Sequence, residues 1–166
     1  MIYVYSVLVI LGGLFVLWWL IGVMMPRDVE VTRKIFIKAP IEDVWAAMTD
    51  ATGQISWRSD LQRVEIKSTE EGGDVWVEVS KVGKRVMFKT LYLKAPLAFQ
   101  LELRLGSFMT AYREGELVKN QSGTNLRIKE VNRVSNPLYR PLVRWKFNLD
   151  KVLDQYQHDL KRYLGG

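Results

Sequence analysis

The side chains best placed to do chemistry are Tyr112, Arg113, Glu114 and Glu116, four polar residues crowded into the segment FMTAYREGELVK. If Phe108, Thr110 and Tyr112 face the interior of a strand, period-two alternation turns Glu114 and Glu116 the same way. A carboxylate in an apolar interior has a raised pKa and can serve as acid or base. The alternative, and the favoured reading, is that the strand has left the interior by then and both glutamates are solvated or paired with Lys and Arg. Other nominees are weaker. The single histidine, His158, follows the helical spacing of its neighbours beside Asp159, and its expected place is an exposed helix face. One histidine and no cysteine rule out a thiolate nucleophile, a disulfide framework and a histidine-rich metal site. Val82-Gly83-Lys84 reads as a hairpin turn, because nothing like the GxxxxGK[ST] phosphate loop occurs. No catalytic residue, metal ligand or cofactor is therefore assigned from sequence.

The elements that would position these residues are legible in the hydrophobic period. VTRKIFIK, residues 31–38, is β-branched and aromatic and reads as a strand. Ala39-Pro40 ends it. IEDVWAAMTD then sets Ile41, Val44, Trp45 and Met48 at helical spacing, with Glu42 and Asp43 in the first turn, where the helix dipole favours acids. GQISWR suggests a second short helix. From residue 61 the period becomes two, and LQRVEIKST, DVWVEVSK, RVMFKTLYLK, AFQLELRL, FMTAYREGELVK and TNLRIKEVNR are six further strands. Turn signals at Glu71-Gly72-Gly73, Val82-Gly83, Ala95-Pro96, Gly106-Ser107 and Ser122-Gly123 are short enough for antiparallel hairpins. After Asn136-Pro137 a long helix is expected, with Leu142, Trp145, Leu149, Val152, Tyr156, Leu160 and Tyr163 on one stripe and Pro141 as a kink or restart.

The N-terminus differs from all of this. Residues 2–25, IYVYSVLVILGGLFVLWWLIGVMM, carry no charge. As a helix at about 1.5 Å per residue they reach roughly 36 Å, enough for a hydrocarbon core of about 30 Å. A cleaved secretory signal would show a basic start and a small-residue cleavage site, and neither is present. A buried soluble helix is rarely apolar on every face over such a length. A membrane span is the expectation, with Trp18 and Trp19 at the headgroup level. Arg27, Arg33, Lys34 and Lys38 follow the span, so the positive-inside rule places the remainder in the cytoplasm. The expected division is an anchor at 1–26 and a folded domain at 27–166.

The segment Ile37-Lys38-Ala39-Pro40-Ile41-Glu42-Asp43-Val44-Trp45, then Thr49-Asp50, Trp57 and Gly123-Thr124, resembles the helix-grip superfamily of START-like and polyketide cyclase/dehydrase-like proteins, known collectively as SRPBCC. The resemblance covers about residues 30–164. It implies an α+β fold in which a curved seven-stranded antiparallel sheet wraps a long C-terminal helix around a cavity. The membrane span is not part of the shared pattern. Members hold sterols, phospholipids, quinones, polyketides or plant hormones, and a minority are cyclases or dehydratases.

On that basis the residues expected to line a cavity are Trp57, Val77, Phe88, Tyr92, Phe99, Leu101, Tyr112, Trp145, Leu149 and Tyr156. Simple core packing is the competing reading for most of them, and Trp57 could rim an opening or anchor the core. The expected function is a membrane-anchored module that binds or moves a hydrophobic ligand, with the bilayer and a small apolar molecule as partners. A cyclase-type enzyme and a scaffold with a filled interior are the alternatives. The net charge of +6 is diffuse, with no basic run, so nucleic acid is not an expected partner. Near an anionic leaflet that charge has a direct use, since each close Lys or Arg contributes roughly 1 kcal/mol.

Overall fold

The computed structural model describes residues 2–67, 74–146 and 148–165, excluding the side chains of Ile2 and Leu149. Helix α1 (Ile2–Met24) contains no charged residue and keeps its apolar side chains on the outside. It is long and apolar enough to cross a membrane.

Strand β1 (Asp28–Ile37) starts the sheet, followed by α2 (Ile41–Thr49) and a 3-10 turn (Gly53–Ser56). Ile41, Val44 and Met48 of α2 are buried, as their spacing predicts. The chain then runs through β2 (Leu61–Lys67), β3 (Val75–Ser80), β4 (Arg85–Lys94), β5 (Ala98–Leu105), β6 (Met109–Asn120) and β7 (Gly123–Arg133). All seven strands form one antiparallel sheet in the order β1-β7-β6-β5-β4-β3-β2. The turn expected at Glu71-Gly72-Gly73 lies outside the described residues.

Two of the residues carrying the sequence resemblance meet where β1 and β7 end. Thr124 donates its hydroxyl to the Ala39 carbonyl at 2.9 Å, both fully enclosed. A Cβ on Gly123 would stand 2.2 Å from the Ile37 carbonyl oxygen, so only glycine permits this approach. Asp50 closes the same corner by accepting from Thr52 Oγ1 and the Gly53 amide, at 2.8 and 2.9 Å.

The long terminal helix exists in two pieces. Helix α3 (Arg140–Lys146) has Pro141 in its first turn, where the missing N–H costs no bond. Helix α4 (Leu149–Tyr163) begins afresh at Asn148, whose side chain accepts from the Lys151 amide at 3.1 Å. The break puts the two helices out of phase. Leu153, Tyr156 and Leu160 of α4 enter the core, while Val152 and Tyr163 are more exposed than the continuous stripe predicts. The core lies between the inner sheet face, α2 and α4.

Candidate functional site

Strand parity decides which side chains meet α4. Inner-face residues run in register across the sheet: Trp76 opposite Phe88, Phe88 opposite Leu103, Leu103 opposite Ala111, and Ala111 opposite Asn132. On β6 this makes Ala111, Arg113, Gly115 and Leu117 the inner set. Gly115 belongs there for a steric reason, since a Cβ would stand 2.2 Å from the Phe99 ring. Tyr112, Glu114 and Glu116 therefore point outward. Glu114 accepts from Gln100 Nε2 at 3.1 Å, and Glu116 pairs with Arg127 at 3.2 Å, both on the surface.

The same register corrects other expected cavity residues. Val77 is buried, but on the outer face, where it lies between Glu65 and Met87. Tyr92 is displaced by a bulge between Thr90 and Tyr92, which sets it opposite Gln100 on the outer face and turns Leu93 toward Phe99 instead. Trp145 is 81% exposed, because α3 does not continue the phase of α4. The Leu149 side chain lies outside the described residues. Phe88, Phe99, Leu101, Trp57 and Tyr156 all join the core. They do not share one cavity. Phe99 and Leu101 border a pocket of about 340 Å³ beneath the end of α2. Trp57 packs edge-on against Tyr156, centroids 5.3 Å apart, and stacks on Tyr163 at 6.0 Å.

The cavity between sheet and α4 has a volume of about 270 Å³. Phe88, Leu103 and Ala111 line its apolar part, with Val152 of α4 at its rim. Its polar lining includes two ion pairs, of which sequence reasoning singled out only Arg113. Arg58 Nη1 binds Glu78 Oε2 at 2.6 Å, and Arg113 Nη2 binds Glu130 Oε2 at 2.7 Å. All four side chains are at least nine-tenths buried. Arg58 also reaches Asp60 at 2.9 Å and Gln54 Oε1 at 3.0 Å, and Trp76 Nε1 donates to Glu78 Oε1 at 3.3 Å.

Tyr156 joins the two pairs. Both guanidinium carbons lie 5.4 Å from its ring centroid, a cation–π distance that gains strength when desolvated. Burial pushes the Tyr156 hydroxyl up to about 12, against the opposing pull of the two arginines. Burial also acts to lower both arginines, yet Glu78 and Asp60 hold Arg58, and Glu130 holds Arg113, above the ordinary value. The cavity thus presents fixed, matched charge, backed by the buried Tyr156 ring. Asn132, 2% exposed, borders it with both amide atoms unpartnered among the described residues.

A sequence signal for these residues existed. Ala111-x-Arg113-x-Gly115-x-Leu117 alternates small and apolar residues around one arginine. Glu78 is flanked by aliphatic and aromatic residues in VWVEVS. Both patterns mark an inward charge once parity is known.

Residues 28–164 match the family described as polyketide cyclase / dehydrase and lipid transport. The chain belongs to this family. Among proteins of curated function no sequence matches. The solved structures that resemble this polyketide cyclase/dehydrase-like chain share the fold at low identity. A START superfamily protein from Mycobacterium smegmatis superposes with a TM-score of 0.67 at 13% identity, covering 81% of this chain and 96% of the other. The di-domain ARO/CYC BexL from the BE-7585A biosynthetic pathway gives 0.67 at 13% identity, over 88% of this chain and 53% of the other. This chain thus spans about half of that di-domain protein. Norcoclaurine synthase from Thalictrum flavum gives 0.65 at 9% identity, over 82% and 94%. The START-like helix-grip fold expected from the sequence is the fold of this family member.

Proposed function

We propose that the chain combines an anchor at residues 1–26 with a domain at 27–166 that holds or carries a small hydrophobic ligand beside the bilayer. The observation that carries this reading is the cavity of about 270 Å³, apolar along Phe88, Leu103 and Ala111 and bordered by two matched ion pairs. Small-molecule sites start at about 300 Å³ and combine an apolar lining with a few fixed polar groups. The size suits a ring-sized or single-chain molecule more than a two-chain lipid. Because each guanidinium already has its carboxylate, the favoured ligand is neutral with one hydrogen-bonding group, as a quinone or a polyketide-like phenol has. The family's description, which joins cyclisation and lipid transport, supports a hydrophobic ligand. Basic residues after α1 support a cytoplasmic domain.

Extraction of the full chain in mild detergent, followed by mass spectrometry of the bound small molecules, tests this. One apolar molecule should accompany each chain, and Ala111→Phe, which fills the cavity from its inner wall, should abolish it while the domain still melts cooperatively. Wild-type protein with no such molecule, and no uptake of added quinone, would sink the reading.

A cyclase-type activity is the second reading, favoured by Glu78 and Glu130 bordering one cavity with Tyr156 between their arginines. It requires one carboxylate to leave its arginine when substrate enters. Glu78→Gln would then remove turnover and leave ligand retention intact.

A further inference from the structure

A third pocket, of about 340 Å³, lies at the foot of the anchor. Met25 and Arg27 border it after α1, Arg144 and Trp145 from α3, and Asn132 from β7. Its depth relative to a bilayer follows from two contacts. Trp18 donates its indole N–H to the Leu138 carbonyl at 3.1 Å, and Arg140 donates to the carbonyls of Gly22 and Met25 at 3.0 and 3.2 Å. Residues 138–146 are thereby held beside the last turns of α1. Tryptophan rings settle at the headgroup level, so the pocket opens there.

Its charge is unspent. Arg140 is occupied by backbone carbonyls, and Asp150, which also borders the pocket, is bound by Arg33 at 2.5 Å. Arg27 and Arg144 have no ion pair among the described residues. Deeper in, the Asn132 side chain is enclosed, its amide nitrogen and oxygen without a hydrogen-bond partner among the described residues, and a buried polar group without a partner is costly. It also borders the interior cavity, so the two spaces share this residue as a wall. Trp145, 81% exposed, borders the pocket from α3, where the outer part of a lipid would lie.

We propose that this pocket is a headgroup site for an anionic phospholipid of the bilayer that α1 enters, with Arg27 and Arg144 on the phosphate and the Asn132 amide reached by the headgroup's hydroxyl groups. The proposal rests on the anchor reading above and deepens it, because it sets a lipid against the inner wall of the ligand cavity. No covalent step is involved.

Native mass spectrometry of the detergent-purified full chain, titrated with phosphatidylglycerol or with phosphatidylcholine of the same acyl chains, tests it. The wild type should prefer phosphatidylglycerol. Arg27→Gln/Arg144→Gln should weaken phosphatidylglycerol binding about 30-fold, since two basic residues close to anionic lipid are removed. Arg104→Gln/Arg127→Gln, which makes the same change of net charge on the outer sheet face, should leave it unchanged. Millimolar glycerol phosphate should not displace the lipid. Equal binding of the two lipids, an equal loss in the Arg104/Arg127 control, or displacement by glycerol phosphate would overturn the proposal. The same spectra report the interior ligand. Lipid preference without an interior ligand sinks only the proposed function, and an interior ligand without lipid preference sinks only the headgroup site.

Discussion

Arg140 donates its Nη1 to the Gly22 carbonyl oxygen at 3.0 Å, joining the domain to the last turn of the anchor. Helix C-termini leave carbonyls without intrahelical partners. Arg140 covers those of Gly22 and Met25 and also binds the carbonyls of Val134 and Ser135. One buried side chain thus fixes anchor, β7 and α3 together.

This contact depends on Gly22. A Cβ there would stand 2.0 Å from the Pro137 carbonyl oxygen, whereas one on Gly13 would meet nothing within 4 Å. Gly22→Ala should separate the anchor from residues 137–140 and lower stability by about 1–3 kcal/mol, the usual range for overpacking. Gly13→Ala should be neutral. Thermal melting in detergent measures the difference, and chymotrypsin cleavage after Tyr139 should quicken only in Gly22→Ala.

The Arg113–Glu130 pair spans β6 and β7 at 2.7 Å inside the core. Removing one partner strands a buried charge, which costs about 3–5 kcal/mol. Arg113→Met and Glu130→Met should each destabilise by that amount. The double variant should be more stable than either single one, because no unpaired charge remains. Urea unfolding of the four proteins supplies the cycle.

Two enclosed groups contribute to the pH dependence of stability, one at each end. Asp159 has a fully enclosed side chain. Burial, the largest influence, acts to raise its pKa, but Ser59 Oγ and N, at 2.6 and 2.8 Å, together with Gln155 and Arg162, outweigh it and hold the pKa below the usual carboxylate range. A depressed folded pKa means that the stabilisation is present above the unfolded value, about 3.9, and is lost as pH falls through the folded one. At the alkaline end Tyr156, raised to about 12 by burial, contributes stability that is complete below the unfolded tyrosine value of about 10 and is lost as pH rises toward 12. Asp159→Asn should flatten the acid limb of a stability–pH curve, and Tyr156→Phe the alkaline limb. A 295 nm absorbance titration should show a phenol transition near 12 that Tyr156→Phe removes.

Much of the fold was legible along the chain. All seven strands, α2 and the short 3-10 turn follow directly from where the hydrophobic period changes between 3.6 and two. The candidate site was less legible, for two local reasons. The parity of β6 was taken from Tyr112, whose aromatic ring suggests burial, while the deciding residue is Gly115, which has no side chain to reveal its direction. On β4 a single bulge reverses the parity of Tyr92, and a bulge leaves no mark in hydropathy. Val77 was misplaced because β3 is buried on both faces, so alternation carried no information there.

Composition alone settles that residues 2–25 are an uncharged apolar run of membrane-spanning length, since the absence of charge over that distance needs no partner to interpret. It likewise settles that a period-two sheet is followed by an amphipathic helix, because periodicity is local. Tertiary structure alone decided that Arg58 meets Glu78, that Arg113 meets Glu130 and that both guanidiniums lie over Tyr156. These residues come from separate strands, from the loop before β2 and from α4, and their charges are tolerable only as matched pairs. Such matching is a property of register and enclosure, which no single stretch of chain contains. The same holds for the foot of the anchor, where Arg140 and Gly22 lie far apart along the chain and become neighbours only after the sheet has closed.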